Sequence, residues 1–394
     1  MHSTPYEAYE FFMPSKTIIG VGAAEQVPVR IKALGLKKPL IVTDKGIVQT
    51  GLAKHITDKL DAAGLSYAIY DQTIPNPTDK NVEDGVAAYK KAKCDSLITL
   101  GGGSPHDCGK AIGIVLSNGG RIHDYEGLDK LKAPLMPYIA INTTAGTASE
   151  MTRFAIITDL SRHVKMAIVD ARVTPLIAIN DPIMMEGMPP FLTAATGMDA
   201  LTHAVEAFVS NAATPMTDAC AIQAFKQIFK YLRRAVADGR DIEARNGMCN
   251  AEYLAGMAFN NAGLGYVHAM AHQLGGFYDL PHGACNAVLL PHVARFNLIS
   301  RVDRFAEMAM YFGEDVTGLS NRDAADCAIA AMARLAEDVG IPDGIVALGK
   351  MCGKDVKEKD IPVMTANAQK DVCALNNPRR ASDAEIAALF KEAL

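Results

Sequence analysis

From Lys38 to Asp181 the chain alternates short β-branched runs with helical periodicity, and beyond Pro182 that alternation stops. The runs are KPLIVTD (38–44), LSYAIYD (65–71), DSLITLGGG (95–103), PYIAINTT (137–144) and LIAIND (176–181). Helical patterns fill 51–63 and 79–92, and another follows Gly103. Strand–helix–strand order of this kind implies a parallel sheet covered on both faces. RFAIITD (153–159) and VKMAIVD (164–170), separated by LSRH, form a hairpin late in this region. Pro189-Pro190 breaks the chain, and from Leu192 onward the pattern is helical almost to the end. The expected architecture is a Rossmann-like α/β domain over 1–185, carrying a β-hairpin, followed by an all-α domain over 186–394.

Composition narrows the class. Of 394 residues, 49% are hydrophobic and 21% charged, enough apolar surface for a large core and too much for a disordered chain. The net charge of −5 leaves no basic excess to neutralise a phosphate backbone, which argues against a nucleic-acid partner. Eight scattered cysteines form no C-x-x-C pair and fit a reducing compartment. The N-terminus has no basic segment leading into a long apolar one, and apolar runs stop short of the ~18 residues of a membrane span. The expectation is a soluble, cytoplasmic protein with no membrane partner.

Gly101-Gly102-Gly103-Ser104 directly follows the strand SLITL and opens a helical pattern. Missing side chains let a ligand approach the backbone, and a helix N-terminus favours a pyrophosphate. A tight strand-to-helix turn without a ligand would look the same. TTAGTASE (143–150), ending another strand, supplies hydroxyls and a glycine for a second phosphate loop. Asp44 closes the strand PLIVT, where an acid accepts ribose hydroxyls and repels a 2′-phosphate, favouring NAD over NADP. No G-x-G-x-x-G is present.

The histidines supply the stronger signal. Asp199 and His203 in GMDALTHAVEAF lie four apart, one turn of one helix face. His268 and His272 repeat that spacing in GYVHAMAHQLGG, and His282 follows in LPHGACNAV. A single histidine of this kind is most simply a hydrogen-bonded core residue. Buried together among Ala, Leu and Val, however, these groups would each cost several kcal/mol unless a cation took their lone pairs. One carboxylate and three imidazoles suit Fe²⁺, Zn²⁺, Co²⁺ or Mn²⁺ with a position left open. Spacing does not choose between His268 and His272 as ligand.

GGGSPHD (101–107), TTAGTASE (143–150), GMDALTH (197–203) and GYVHAMAHQLGGFYDLPHG (265–283) together closely resemble the iron-dependent (group III) alcohol dehydrogenases, from about Pro14 to the C-terminus. Within that family the chain is most similar to the 1,3-propanediol and NAD-dependent methanol dehydrogenase branch. The resemblance implies a dehydroquinate synthase-like fold and metal ligation by Asp199, His203, His268 and His282. The metal would be Fe²⁺, with Zn²⁺, Mn²⁺ or Ni²⁺ also accommodated. His272 becomes a proton-relay candidate beside the nicotinamide, and Asp44 holds the adenosine ribose of NAD. Asn76, Gly102, Gly103, Ser104, Thr143 and Thr144 line the cofactor site, Lys165 reaches the nicotinamide ribose, and Phe259 sits at the substrate pocket. Ala148 departs from the family, where many members have glycine.

The implied reaction is reversible NAD-linked oxidation of a primary alcohol or diol (1,3-propanediol, methanol or another short-chain alcohol) to the aldehyde. A homo-oligomer, from dimer to decamer, is implied as well. A dehydroquinate synthase-like lyase ranks lower, because no Arg/Lys cluster for a phosphorylated sugar acid accompanies the ligands. A metal-dependent hydrolase would leave the Asp44, Gly102 and Thr144 framework without purpose. A non-catalytic metal module would have no use for an open position. Elsewhere, His106 is expected to line the cofactor site, His123 and His163 to be solvated, and LRRAVADGRDIEAR (232–245) to be a solvated helix end. His292 has no assigned role.

Overall fold

The computed structural model describes residues 8–13, 16–162 and 164–394. Strands β1 (Lys16–Ile19), β2 (Pro39–Asp44), β3 (Ala68–Thr73), β4 (Ser96–Gly101), β6 (Tyr138–Asn142) and β9 (Ile177–Asn180) form one sheet, ordered β1-β9-β6-β4-β2-β3 with every pairing parallel. β7 (Phe154–Asp159) and β8 (Val164–Val169) pair antiparallel, and β5 (Gly127–Leu128) lies parallel to β8 in a second small sheet. The helices of this unit are α1 (Val27–Ala33), α2 (Lys45–Gln49), α3 (Leu52–Ala62), α4 (Asp79–Ala92) and α5 (Gly103–Asn118).

Central strands β4, β6 and β9 are buried at every residue, as parallel strands covered on both faces must be. Their alternation sorts the side chains. Ile41, Ile98, Leu100, Ile139, Ile141, Ile177 and Ile179 pack with Val27, Ile31, Ile56 and Leu60 on one face. Leu40, Val42, Leu97, Tyr138 and Ala140 pack with Val82, Cys108, Ala111 and Ile112 on the other, which also takes in Ala155, Ile157, Met166 and Ile168 of the small sheet.

The sequence reading places these central strands closely, but two details differ. β3 runs two to three residues later than LSYAIYD, whose Leu65 and Tyr67 pack against the core from outside the strand. The edge strand β1 and the two-residue β5 lack a long apolar run and were not anticipated. His163, in the hairpin connection, lies outside the described residues.

The second unit comprises Met188–Leu394 with the N-terminal segment that ends at Phe12, so the chain divides after Gly187. Its helices are α6 (Pro190–Val209), α7 (Pro215–Ala237), α8 (Ile242–Ala262), α9 (Tyr266–Tyr278), α10 (His282–Asn297), α11 (Val302–Phe312), α12 (Asn321–Asp338), α13 (Ile345–Met351), α14 (Ile361–Ala368) and α15 (Asp383–Glu392). No strand appears there among the described residues. Helix α6 is buried along nearly its whole length. A helix that is apolar all round belongs at the centre of a bundle, so any polar residue on it needs a partner. No helix among the described residues is long and apolar enough to cross a membrane.

Candidate metal centre and cofactor loops

Helix α6 carries Asp199 and His203 one turn apart, and both are buried. His268 lies buried on α9, and His282 is the first residue of α10. The Nε2 atoms of His282, His268 and His203 stand 3.6, 3.7 and 4.0 Å from Asp199 Oδ1. Donor atoms of Asp199, His268 and His282 all lie within 4.8 Å of one another. His203 is the outlying fourth, its ring stacked between Phe259 (centroids 4.2 Å) and His268 (4.7 Å).

Local packing explains the convergence. A Cβ on Gly283 would fall 2.2 Å from the Ala195 carbonyl oxygen, so glycine alone lets α10 begin against α6 and brings His282 beside Asp199. Glu206, two turns along α6 from Asp199, accepts the Val267 N–H at 2.7 Å and lies 2.6 Å from His268 Nδ1. One carboxylate thus caps the first turn of α9 and fixes the His268 ring, leaving Nε2 turned toward Asp199.

Electrostatics follow from this geometry. Burial alone would raise the pKa of the Asp199 carboxyl, but His203, His282 and His268 around it hold it far below the carboxylate range. Burial works to lower His268, yet Asp199 and Glu206 on either side push it up to about 9. Asn286, one turn into α10, donates from Nδ2 to Asp199 Oδ1 at 2.7 Å and lies 3.1 and 3.2 Å from the Nε2 atoms of His268 and His282. Its own Oδ1 is buried without a hydrogen-bond partner among the described residues.

One donor group therefore serves lone pairs from one carboxylate and two imidazoles. That donor set fits a divalent cation, whose charge removes the cost of burying them. The His282 side chain is 33% exposed, the least enclosed of the four, so the centre is not sealed on that side. His272, one turn along α9 from His268, does not join this set. Its ring stacks on His282 (centroids 5.3 Å), and its Nδ1 lies 2.8 Å from Asp371 Oδ2. Spacing had left His268 and His272 equivalent; burial and ring placement separate them.

In the α/β unit the residues expected at the cofactor fall into neighbouring groups. Gly102 is the N-cap of the 16-residue helix α5 and has no side chain to cap it. A Cβ on Gly102 would stand 3.0 Å from Thr144, and one on Gly103 would stand 3.2 Å from Thr147, so the two glycine-containing loops pack directly together. Ser104 lies in the first turn of α5 and is half-buried. Thr143 is buried and donates its N–H to Gly101 O at 3.0 Å, while Thr144 donates to Asn142 Oδ1 at 3.1 Å. Lys165 Nζ donates to Asn76 Oδ1 at 2.8 Å. Asp44 accepts the Ile47 N–H at 2.9 Å as the N-cap of α2, so one of its oxygens already has a structural task.

Sequence reasoning passed over the brace behind these loops. Lys110 is buried and donates to Phe154 O (2.6 Å), Thr152 O (3.0 Å), Ser149 Oγ and Thr152 Oγ1 (both 3.3 Å). Asp107 accepts from Ser149 Oγ at 2.6 Å and from the Ile156 N–H at 3.1 Å. Together they tie the segment 149–156 to α5. Within the same loop Ala148 has φ +52°, a left-handed backbone that glycine adopts without strain.

Three expectations need correction. His106 lines no site: it is buried, its Nδ1 is 2.7 Å from Thr99 Oγ1, and burial pushes its pKa down to about 3. His123 is not solvated but only 22% exposed, its Nε2 facing Asp79 at 3.2 Å and Asp159 at 3.5 Å. The segment 232–245 is not wholly solvated, because Arg245 is buried and donates to Thr193 Oγ1, Met188 O and Gly239 O.

Comparison with known proteins identifies the family. The chain is 51% identical over 390 residues to the 1,3-propanediol dehydrogenase of Klebsiella pneumoniae, covering 98% of this chain and 99% of that one. It is 50% identical over 384 residues to the NAD-dependent methanol dehydrogenase of Bacillus methanolicus, with the same coverage. The crystal structure of a 1,3-propanediol oxidoreductase superposes with a TM-score of 0.95 at 51% identity, covering 98% of this chain and all of that one. These relatives do not favour the lyase alternative. Residues 14–182 match the family described as iron-containing alcohol dehydrogenase and residues 193–394 its C-terminal region, and with both halves matched the chain belongs to the iron-containing alcohol dehydrogenases.

Proposed function

We infer that this protein catalyses the reversible NAD-linked oxidation of a short primary alcohol or diol to the aldehyde, at iron held by Asp199, His203, His268 and His282. The observation that carries this reading is the convergence of three imidazole nitrogens on Asp199 Oδ1 within 4.0 Å. When bound, the cation polarises an alcohol oxygen and NAD accepts the hydride.

The chain's own residues do the rest. Glu206 holds His268 in the tautomer that offers Nε2. His272, outside the ligand set and against His282, is the group placed to carry the hydroxyl proton away. Phe259 stacks on His203 and gives the substrate pocket an apolar wall. The bare N-terminus of α5 at Gly102, with Gly103, Ser104, Thr143 and Thr144, receives the pyrophosphate. Lys165, paired with Asn76, serves the nicotinamide ribose. The Asp44 oxygen not used in capping receives the adenosine ribose and sets the preference for NAD.

The substrates with which the relatives are named make 1,3-propanediol and methanol the first alcohols to try. A cytoplasmic homo-oligomer, dimeric or larger up to a decamer, completes the reading; light scattering of the purified protein tests the assembly. The functional test is an alcohol panel assayed with NAD and NADP on iron-loaded protein. NADH formation with at least one short primary alcohol is expected. Absence of NADH with every alcohol would overturn the reading. An Asp44→Gly variant is expected to gain NADP-linked activity.

A further inference from the structure

Asp371 lies 99 residues from His272 in sequence and belongs to no motif, yet its carboxylate is the hydrogen-bond partner of that ring. Its side chain is 15% exposed and that of His272 20%. Oδ2 lies 2.8 Å from His272 Nδ1, and Oδ1 accepts the Cys373 N–H at 2.9 Å. Asp371 is the N-cap of the 3-10 turn Val372–Asn376, so its orientation is set by backbone as well as by the imidazole.

That turn is anchored. Asn377, just after it, is buried and exchanges side-chain hydrogen bonds with Asn297 of α10 at 2.7 and 3.1 Å, and it accepts the Tyr266 N–H at 3.1 Å. Asn211 takes the carbonyls of Asn376 and Asn377 through its own N–H and Nδ2. The carboxylate is therefore fixed to α9 and α10, the helices that carry His268, His272 and His282.

An ionised carboxylate only accepts hydrogen bonds. Asp371 already accepts the Cys373 N–H through Oδ1, which leaves Oδ2 to accept from the ring. Nδ1 of His272 must then be the donor, which leaves the Nε2 lone pair of the neutral ring free to accept a proton. Stacking on His282 fixes the ring plane, and the Asp371 contact fixes its rotation about that plane.

From this geometry we propose that Asp371 is a positioning residue for the dehydrogenase, holding His272 in the Nδ1–H tautomer with Nε2 presented as proton acceptor. An ordinary half-buried ion pair would give the same distance but would not matter to turnover. The proposal rests on the proton-relay reading of His272, and the two can fail separately.

The test compares Asp371→Asn, Asp371→Glu, His272→Ala and the Asp371→Asn/His272→Ala double variant, each iron-loaded and assayed with NAD and 1,3-propanediol. Asparagine can donate to Nδ1 and so stabilises the opposite tautomer. The expected result is a 10- to 100-fold lower kcat for Asp371→Asn, with KM for the alcohol and metal content unchanged. Asp371→Glu should recover part of the loss, and the double variant should be no slower than His272→Ala. Wild-type kcat in Asp371→Asn beside an impaired His272→Ala would overturn the proposal and spare the reading of His272. Wild-type kcat in both would overturn both. Should the variants fold poorly, ¹⁵N-histidine NMR of the zinc-loaded wild-type protein decides directly: a proton on His272 Nδ1 supports the proposal, and one on Nε2 overturns it.

Discussion

Glu206 Oε2 lies 2.6 Å from Nδ1 of His268, and both residues are buried. A buried carboxylate on the far nitrogen fixes the tautomer of a ligand histidine and raises its basicity toward a cation. Replacing Glu206 with Gln keeps the shape and removes the charge. Iron or zinc affinity is expected to fall about 10- to 100-fold, as metal-ligand histidines typically do when such a partner is lost. Competition with a chromophoric chelator measures this, and circular dichroism should show the helices intact.

Gly283 permits His282 to approach Asp199. In Gly283→Ala the new methyl would meet the Ala195 carbonyl, a backbone atom that cannot rotate away. Overpacking of this kind costs about 1–3 kcal/mol. The start of α10 should move off α6, so the variant is expected to lose both thermal stability and bound metal. Metal content per chain, measured on folded protein, is the check.

Ala148 occupies a left-handed backbone at φ +52°. Alanine carries a strain of about 1–2 kcal/mol there, while glycine adds about 0.4–1 kcal/mol of unfolded-chain entropy. Ala148→Gly should therefore stabilise the protein by a net of about 0.5–1 kcal/mol. Differential scanning calorimetry should show a rise in Tm of about 1 °C, since the Tm shift per kcal/mol shrinks as chain length grows.

His106 is buried with a pKa near 3 against 6.5 for a free imidazole. Above pH 6.5 both folded and unfolded states are neutral, so the group contributes no pH dependence. As pH falls below 6.5 the unfolded state binds a proton that the folded state refuses, and stability is lost progressively down to pH 3. Between pH 7 and 5 this amounts to about 2 kcal/mol. His106→Gln should lose correspondingly less stability over that interval, whatever its stability at pH 7, as read by urea denaturation at the two pH values.

Much of the fold was legible because the central strands are continuous apolar runs and the helices carry strong end signals. Helix α4 illustrates this: the Thr78 capping box opens it and Lys93, at φ 55°, closes it, so its limits follow from local chemistry. β1 was not legible, since KTII is a half-exposed edge strand whose place depends on pairing with β9, about 160 residues on. In the site, Asp199, His203 and His268 announced themselves by i, i+4 spacing on apolar helices. Glu206 shares their helix face at i+7 from Asp199, a signal that was present and unread. Asn286 and Asp371 reach the site through tertiary packing, for which no periodicity exists.

The central claim is that NAD-linked alcohol oxidation depends on one divalent metal held by Asp199 and three histidines. Titrating Fe²⁺ into chelator-stripped protein while following NADH formation from 1,3-propanediol tests it most directly. The rate should start near zero, rise linearly and saturate at one iron per chain in the wild type, and stay near zero throughout in Asp199→Ala. Full activity in the stripped protein, or an Asp199→Ala titration that matches the wild type, would contradict the account.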